Sequence, residues 1–419
     1  MAVKVYEWED GAELDEHSKR KHKVLREYFA DYLRIRCQNP NQERFRMAVI
    51  DGFCGAGKYK CGAPGSPLIF LETLYEVCNT LNIERAAQNI RAIQIDVLLV
   101  LNDATPGVVE LCKENIAGQL GAIRDQAEKL HVEVVYLGQE FEAAYPGIKE
   151  TITKRGYKSS VFFNLDQCGH SLVELDTISD ILTSFAAPEI ILTFMIQALL
   201  TYLPKTDQDA LQRRLKKFGV NVPSIDNVEE YMTNQVWLGA AERTVYDAMS
   251  RFGVYVSPFS INNPNGWRYW LIHFAKKTRA RQVYNNILHR NSSSQAHFGR
   301  AGLDMLQYDP NDDANLYLFE DDDRKRATEQ LYDDIPRRLA NSGDAIQIED
   351  FYQDIYNHTP AHSDDIHQAI IKSPDLTVIT PNGGERRVAN TIDPSDTLKL
   401  KPQRSFFNIL FPNGEPEKS

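Results

Sequence analysis

The first 200 positions alternate between short, almost continuously apolar runs and longer segments with apolar residues at helical spacing. The apolar runs, typical of strands buried on both faces of a sheet, are 45–51, 96–103, 132–138, 159–166 and 189–194. Helical spacing predicts helices at 17–36, 66–81, 106–120 and 171–185. Strands that alternate with helices favour a parallel sheet covered by helices on both faces. We therefore expect an α/β fold with a Rossmann-like, doubly wound and mainly parallel sheet.

Two further apolar segments, 254–261 and 267–276, flank the turn-forming sequence NNPNG. They predict an antiparallel hairpin at the edge of the sheet. Residues 204–250, which precede this hairpin, have helical spacing and predict a helical insertion or lid.

A change of composition at 291–322, with runs of Ser, Gly and Asp, predicts a linker. The linker would separate a first domain, 1–290, from a second domain, 323–419. In the second domain helical spacing occurs at 323–343, 348–358 and 361–373, and the segments LTVIT and ERRVA flank PNGG. Three helices followed by a hairpin predict a winged helix-turn-helix with that hairpin as its wing.

Composition narrows the class of protein. Among 419 residues, 42% are hydrophobic and 25% are charged, which is typical of a folded globular chain. The net charge of -11 argues against a protein that coats nucleic acid, so any such contact must be local. The six cysteines suit no disulfide scaffold and lack zinc-ligand spacing, so we expect a cytoplasmic protein without a metal site. The longest apolar stretch, 190–203, is too short for a membrane span.

The strongest local motif is VIDGFCGAGKY at 49–59, where a predicted strand ends and a glycine-rich turn follows. Ligands of doubly wound sheets bind at the carboxyl ends of strands, where glycines let the backbone approach. The segment formally matches the phosphate loop GxxxxGK. However, Tyr59 stands where Ser or Thr would bind magnesium, and a Gly- and Pro-rich turn follows Lys58 instead of a helix. A tight turn without a ligand is the other alternative.

A better match is the motif D-x-F-x-G-x-G of the S-adenosylmethionine site in class I methyltransferases. Its four positions are Asp51, Phe53, Gly55 and Gly57. The glycines would let the backbone approach the methionyl group of the cofactor. The carboxylate can accept hydrogen bonds from the cofactor or from water.

Polar residues at the ends of the next two predicted strands extend this candidate site. Asp103 follows the second strand, where a carboxylate can accept hydrogen bonds from both ribose hydroxyls. An Asp at a strand end also often caps the next helix, and that alternative stays open. Gln139 and Glu140 follow the third strand, where they could flank the adenine.

The fourth strand ends in FFNLDQCGHS at 162–171, the position from which class I methyltransferases reach the methyl acceptor. Asn164, Asp166 and His170 supply polar groups there, and we predict that they are catalytic. Asp166 or His170 could take a proton from the acceptor. The segment is not the Asp-Pro-Pro-Tyr-like motif that holds an exocyclic amine, so it does not directly indicate methylation of a base amino group.

The predicted wing carries Arg386 and Arg387, which could contact phosphates or a partner protein. The candidate recognition helix, in contrast, has Asp364 and Asp365 near its N-terminal end, where phosphate would have to approach. Because like charges repel, docking of a protein is at least as plausible as DNA reading.

The chain resembles the three-Cys-motif partner protein family, TcmP. The resemblance is carried by HSKRKHKVLREYFADYL, IDGFCGAGKYKCGAPGSPLIFLETL, FFNLDQCGHS and EIILTFMIQALLTYL. It implies a class I methyltransferase-like fold with a C-terminal winged helix over nearly the whole chain, and a radical-SAM-like protein with three cysteines as the partner. Where other members often have Asp-Pro-Phe-Gly at the fourth strand, this chain has LDQCG at 165–169, which leaves the acceptor open.

These observations favour a methyltransferase that uses S-adenosylmethionine and acts, with that partner, on nucleic acid or a nucleic-acid-associated substrate. A second hypothesis is a non-catalytic, methyltransferase-like scaffold whose winged helix docks a partner protein or nucleic acid. A third, ATP hydrolysis, requires that Lys58 binds phosphate.

Overall fold

A computed structural model describes residues 11–167, 172–195, 246, 249–251, 255–262, 268–291, 296–297, 302–303, 317–318 and 321–401. Its N-terminal part runs α1 (Glu16–Arg36), β1 (Arg44–Asp51), α2 (Ser66–Ala87), β2 (Gln94–Asp103), α3 (Pro106–Gln126), β3 (Leu130–Gly138), α4 (Phe141–Lys154), β4 (Val161–Leu165), α5 (Leu175–Ser184), β5 (Pro188–Phe194), β6 (Tyr255–Asn262), β7 (Arg268–Ala275) and α6 (Thr278–Arg290). The sequence pattern predicts all of these elements except α4 and α6. The insertion predicted at 204–250 lies almost wholly outside the described residues.

Strands β1 to β7 form one sheet in the order β3-β2-β1-β4-β5-β7-β6. Strands β1 to β5 are parallel to one another, whereas β7 is antiparallel to both β5 and β6. The prediction of a mainly parallel sheet that ends in an antiparallel hairpin is confirmed. Because β2 and β4 lie on opposite sides of β1, the winding direction reverses between β1 and β4, where such sheets bind ligands.

Helices cover both faces of this sheet, as the continuously apolar strands require. On β1, Met47 and Val49 belong to the core formed with α1, α2, α3 and α6. Ala48 and Ile50, which point to the opposite face, belong to the core formed with α4 and α5.

The C-terminal part is a winged helix-turn-helix. Its elements are α7 (Asp321–Asn341), β10 (Ala345–Gln347), α8 (Ile348–Ile355), α9 (Ser363–Lys372), β11 (Leu376–Ile379) and β12 (Thr397–Leu400). Strand β12 pairs antiparallel with both β10 and β11. In the segment predicted as a linker, the short strands β8 (Ala296–His297) and β9 (Tyr317–Leu318) pair with each other.

The wing differs from its prediction in the second strand. The turn at PNGG forms, with the Thr380 N–H donating to Gly384 O at 2.7 Å, but only a single bridge, between Ile379 and Glu385, follows it. Strand β11 instead pairs with β12, so ERRVA is not the second strand. A 3-10 turn at Ala389–Thr391 and the ion pair between Arg386 and Asp396 account for this path.

Helix α6 connects the two parts of the chain. On one side, Tyr284 and Ile287 belong to a core of the seven-stranded sheet. On the other side, Arg281 Nε donates to Tyr356 O at 3.0 Å and Asn286 Nδ2 donates to Ser363 Oγ at 3.1 Å. Polar contacts of this kind fix the winged helix against α6.

Candidate functional site

A cavity of about 280 Å³ lies at the carboxyl ends of β1, β2, β4 and β5. It therefore lies at the reversal point of the sheet, the expected ligand position in this architecture. The predicted residues Phe53, Gly55, Asp103 and Asp166 all line it. The sequence predicts that these four residues belong to one site, and in the structure they lie around the same cavity.

The glycine-rich turn after β1 needs glycine at two positions. Gly55 and Gly57 have φ angles of +57° and +74°, a backbone region that other residues rarely adopt. A Cβ on Gly57 would lie 3.2 Å from Cys112 Sγ and 3.3 Å from Ile116 Cγ2. Gly55 lines the cavity, whereas Gly57 lets the turn pack closely on α3.

Backbone hydrogen bonds tie this turn to the neighbouring strands. The Gly52 N–H donates to Asn164 O at 2.9 Å, and the Cys54 N–H donates to Asn102 O at 2.8 Å. The Asn102 side chain in turn donates to Gly52 O and Gln139 O, at 3.0 and 2.9 Å. The turn is thus held at a fixed position beside the cavity.

Asp51 is completely buried and does not line the cavity. Its Oδ1 accepts a hydrogen bond from Asn164 Nδ2 at 3.1 Å. Burial raises the pKa of Asp51 to about 7, and hydrogen bonds from Ser66 and Asn164 counter only part of this rise. Asp51 and Asn164 thus lie buried beneath the cavity and have a structural role, because they hold the ends of β1 and β4 together.

The raised pKa of Asp51 gives a testable pH dependence. The folded state holds this proton more tightly than the unfolded state, whose ordinary pKa is 3.8. The stabilisation by the protonated group is therefore complete below about pH 4 and is lost as the pH rises to about 7. We expect Asp51→Asn to gain about 2 to 3 kcal/mol of unfolding free energy relative to wild type between pH 5 and pH 8. Urea unfolding of both proteins at pH 5 and pH 8 measures this gain. If the difference in unfolding free energy between Asp51→Asn and wild type were the same at the two pH values, the prediction would be contradicted.

Asp103 at the end of β2 lines the cavity and also accepts two backbone hydrogen bonds. Its Oδ2 accepts from the Gly55 N–H at 3.2 Å and its Oδ1 accepts from the Thr105 N–H at 3.0 Å. Burial raises the pKa of this carboxyl group. Each carboxylate oxygen has a further lone pair for a ligand hydroxyl, so Asp103 can hold the turn and bind a ligand at once.

The other predicted cofactor residues lie away from the cavity. The side chains of Gln139 and Glu140 are exposed after β3, and Glu140 is the N-cap residue of α4. Neither lines the cavity. His170, predicted as catalytic, lies outside the described residues.

Sequence reasoning missed an ion pair contributed by α1. Lys21 Nζ lies 2.5 and 2.7 Å from the two carboxylate oxygens of Asp166, and both residues line the cavity. Burial opposes the charge on Asp166, but attraction to Lys21 prevails and the pKa of Asp166 is lowered. Asp166 is therefore an ionised group, and a weak base, in the wall of the cavity.

Two histidines of α1 also line the cavity. The ring of His17 stacks on Tyr269 with 3.8 Å between centroids, and neither of its nitrogens has a hydrogen-bond partner among the residues that the structure describes. Burial lowers the pKa of His17 to about 3 and that of His22 to about 4, so both rings are neutral. The apolar stripe of α1 includes Val24 and Tyr28, and a seven-residue step back gives Lys21 from Tyr28 and His17 from Val24. That spacing was the available signal.

The phosphate-loop alternative does not fit the geometry of the turn. Lys58 is exposed and forms a bridge with Pro64, and the following helix begins only at Ser66. A phosphate loop requires its lysine at the start of that helix, so that the helix N-terminus faces the phosphates.

The two arginines predicted as phosphate or partner contacts differ in their surroundings. Arg386 makes a two-pronged ion pair with the buried Asp396, with Nε–Oδ2 at 2.9 Å and Nη2–Oδ1 at 3.2 Å. Arg387 is exposed. On α9, Asp364 is exposed near the N-terminus.

A family model described as a GMT-like wHTH domain matches residues 307–383. The match confirms the winged helix-turn-helix; the wider resemblance to TcmP stays a prediction. No curated protein matches the chain. Among the described residues, no group of three or more His, Cys, Asp or Glu could hold a metal ion. No helix in the same part of the chain is both long and apolar enough to cross a bilayer.

Proposed function

We propose that this protein is a methyltransferase that uses S-adenosylmethionine and has a Rossmann-like, class I methyltransferase fold. One observation carries the proposal: the turn with Gly55 and the carboxylate of Asp103 border one cavity at the reversal point of the sheet. The sheet order β3-β2-β1-β4-β5-β7-β6, with β7 antiparallel, supports the same fold.

The residues of the cavity suit the parts of this cofactor. Asp103 would accept hydrogen bonds from the ribose hydroxyls, and the turn at Gly55 would lie against the methionyl group. Lys21 and Asp166 form a cation and anion pair that matches the carboxylate and ammonium of the methionyl head. When bound, the cofactor supplies a methyl group that its sulfonium activates.

The methyl acceptor would enter beside α1. His17 is neutral and has no hydrogen-bond partner within the described part of the chain, and buried polar groups normally have one. We propose that His17 binds a neutral polar group of the acceptor. Asp166 would position the cofactor rather than take the acceptor's proton, because Lys21 keeps it a weak base.

We further propose that the acceptor is nucleic acid or a nucleic-acid-associated substrate, presented together with a radical-SAM-like partner protein. The winged helix would contribute by docking the partner. The exposed Asp364 and the ion pair that engages Arg386 favour protein docking over DNA reading. The same observations support the second candidate function, a non-catalytic scaffold that docks the partner.

Calorimetric titration of the full chain with S-adenosylmethionine tests the proposed function. We expect saturable binding of S-adenosylmethionine and of its demethylated product, because both carry the ribose and the methionyl head. ATP, which lacks that head, should bind much more weakly, and Lys58→Ala should change neither result. No heat with millimolar S-adenosylmethionine would contradict the proposal. Binding without transfer of a labelled methyl group to RNA, DNA or the partner would favour the scaffold.

A further inference from the structure

A second cavity, of about 230 Å³, lies at the opposite end of the sheet from the first. It is bordered by the first residues of β5, including Glu189, whereas the first cavity is bordered by Thr193 and Met195 at the other end of that strand. At about 3.3 Å per residue, the two cavities are separated by roughly 20 Å. The second cavity is therefore a separate site.

Four cationic residues line this second cavity. They are Arg36 of α1, Lys276 and Lys277 after β7, and Arg279 of α6. Within the described part of the chain, none of them lies within 4 Å of a carboxylate oxygen. Arg36 and Lys276 are half-buried, whereas Lys277 and Arg279 are exposed. The described part of the chain thus has four cationic residues without a carboxylate partner around one cavity, although the net charge of the whole chain is -11.

Neutral groups hold three of these cations in place. Arg36 Nη2 donates to Ser160 Oγ at 2.5 Å, and Lys276 Nζ donates to Phe185 O at 3.2 Å. Arg279 Nη1 donates to Gln282 Oε1, also at 3.2 Å. Because these partners are uncharged, the cations are positioned without being neutralised.

The N-terminus of α6 adds to the positive potential at the cavity. Lys277 is its N-cap residue, its first turn contains no acidic residue, and no side chain from the described residues caps its backbone N–H groups. The Thr278 hydroxyl at this end donates to Glu349 Oε1 at 2.5 Å. Free backbone N–H groups at such an end favour an anion.

Glu189 also lines the cavity and is the acidic residue among the lining residues that the structure describes. Its Oε2 accepts a hydrogen bond from Tyr28 Oη, which also contacts His273 Nε2 at 2.8 Å. These three residues are buried, so Glu189 is fixed in position. A fixed carboxylate can accept hydrogen bonds from hydroxyl groups of a ligand.

We infer that this second cavity binds a phosphate monoester of a hydroxylated compound, such as a sugar phosphate. The four cations and the start of α6 bind the phosphate, and Glu189 accepts hydrogen bonds from hydroxyl groups. The phosphate monoester belongs either to a small metabolite or to the 5′ end of a nucleic acid. The inference does not depend on S-adenosylmethionine binding in the first cavity.

The test is titration of the full chain with ribose 5-phosphate and, for comparison, with ribose. We expect ribose 5-phosphate to bind, ribose not to bind, and binding to weaken as the salt concentration rises. The double variant Lys276→Gln/Arg279→Gln should weaken binding about tenfold or more, because it removes two charge-assisted contacts. The matched control Lys372→Gln/Lys399→Gln removes two lysines of the winged helix and should bind like wild type.

Two further arms complete the test. Asp103→Ala should leave ribose 5-phosphate binding unchanged, which separates this site from the first cavity. An oligonucleotide with a 5′-phosphate that binds more tightly than its 5′-hydroxyl form would identify a nucleic acid end as the source; no difference, with ribose 5-phosphate still bound, would identify a metabolite. Equal binding of ribose and ribose 5-phosphate, or wild-type affinity in the Lys276→Gln/Arg279→Gln variant, would overturn the inference.

Discussion

Replacing Asp103 with alanine is expected to weaken the binding of S-adenosylmethionine about 100-fold. The carboxylate would accept two hydrogen bonds from the ribose, and each bond to a charged group contributes about 1.5 kcal/mol or more. Two such bonds correspond to about two powers of ten in the dissociation constant. The variant also loses the acceptor of the Gly55 N–H, so the turn that borders the cavity is less well fixed. Calorimetric titration measures the change.

Two variants control this experiment. Asp103→Asn keeps one oxygen acceptor and removes the charge, so we expect a loss of about tenfold. Asp176→Ala removes an exposed carboxylate of α5 and should bind like wild type. If Asp103→Ala bound the cofactor with wild-type affinity, Asp103 would have only its structural role as the acceptor for Gly55 and Thr105.

Replacing Arg281 with alanine is expected to lower the free energy of unfolding by about 3 kcal/mol. The guanidinium is fully buried and donates to Tyr356 O at 3.0 Å and to Thr359 O at 3.4 Å. Alanine would leave both carbonyl groups without this donor and would open a cavity between α6 and the winged helix. Urea unfolding of the full chain measures the loss.

Arg281→Met separates packing from charge in this contact. Among the described residues Arg281 has no carboxylate partner, and burial lowers its pKa to about 10, which reflects the cost of a desolvated charge. Methionine fills most of the same volume without that cost, so we expect a loss of less than about 1.5 kcal/mol. A loss as large as that of alanine would assign the stabilisation to the hydrogen bonds alone.

Most residues that the predicted elements bury are apolar. The strand β2 is apolar almost throughout because helices cover both of its faces. Helix α4 was missed because Pro146 lies within it, although Ile148 and Ile152 are buried. Helix α6 was missed for a different reason: it buries polar residues against the winged helix, which breaks the apolar spacing.

The residues of the candidate site also fall into those that the sequence predicted and those that it missed. Asp103 and Gly55 follow strands, and the carboxyl ends of parallel strands meet at one edge, so sequence order was enough to bring them together. The pairing of Lys21 with Asp166 depends on how α1 crosses the sheet, and no local pattern gives that direction. The second strand of the wing begins at Thr397, far from the turn, so the turn-forming PNGG pointed to a closer but wrong partner.

Helix α6 has a consequence for the modularity of the protein. Its sequence must satisfy two neighbours at once, since Tyr284 packs on the sheet and Asn286 contacts α9 of the winged helix. A winged helix from another protein could not replace this one by fusion in the segment between α6 and α7. Arg281 and Asn285 of α6 would then face a surface that lacks their hydrogen-bond acceptors. The two parts are thus constrained to change together, and recombination that keeps them intact would have to include α6 with the C-terminal part.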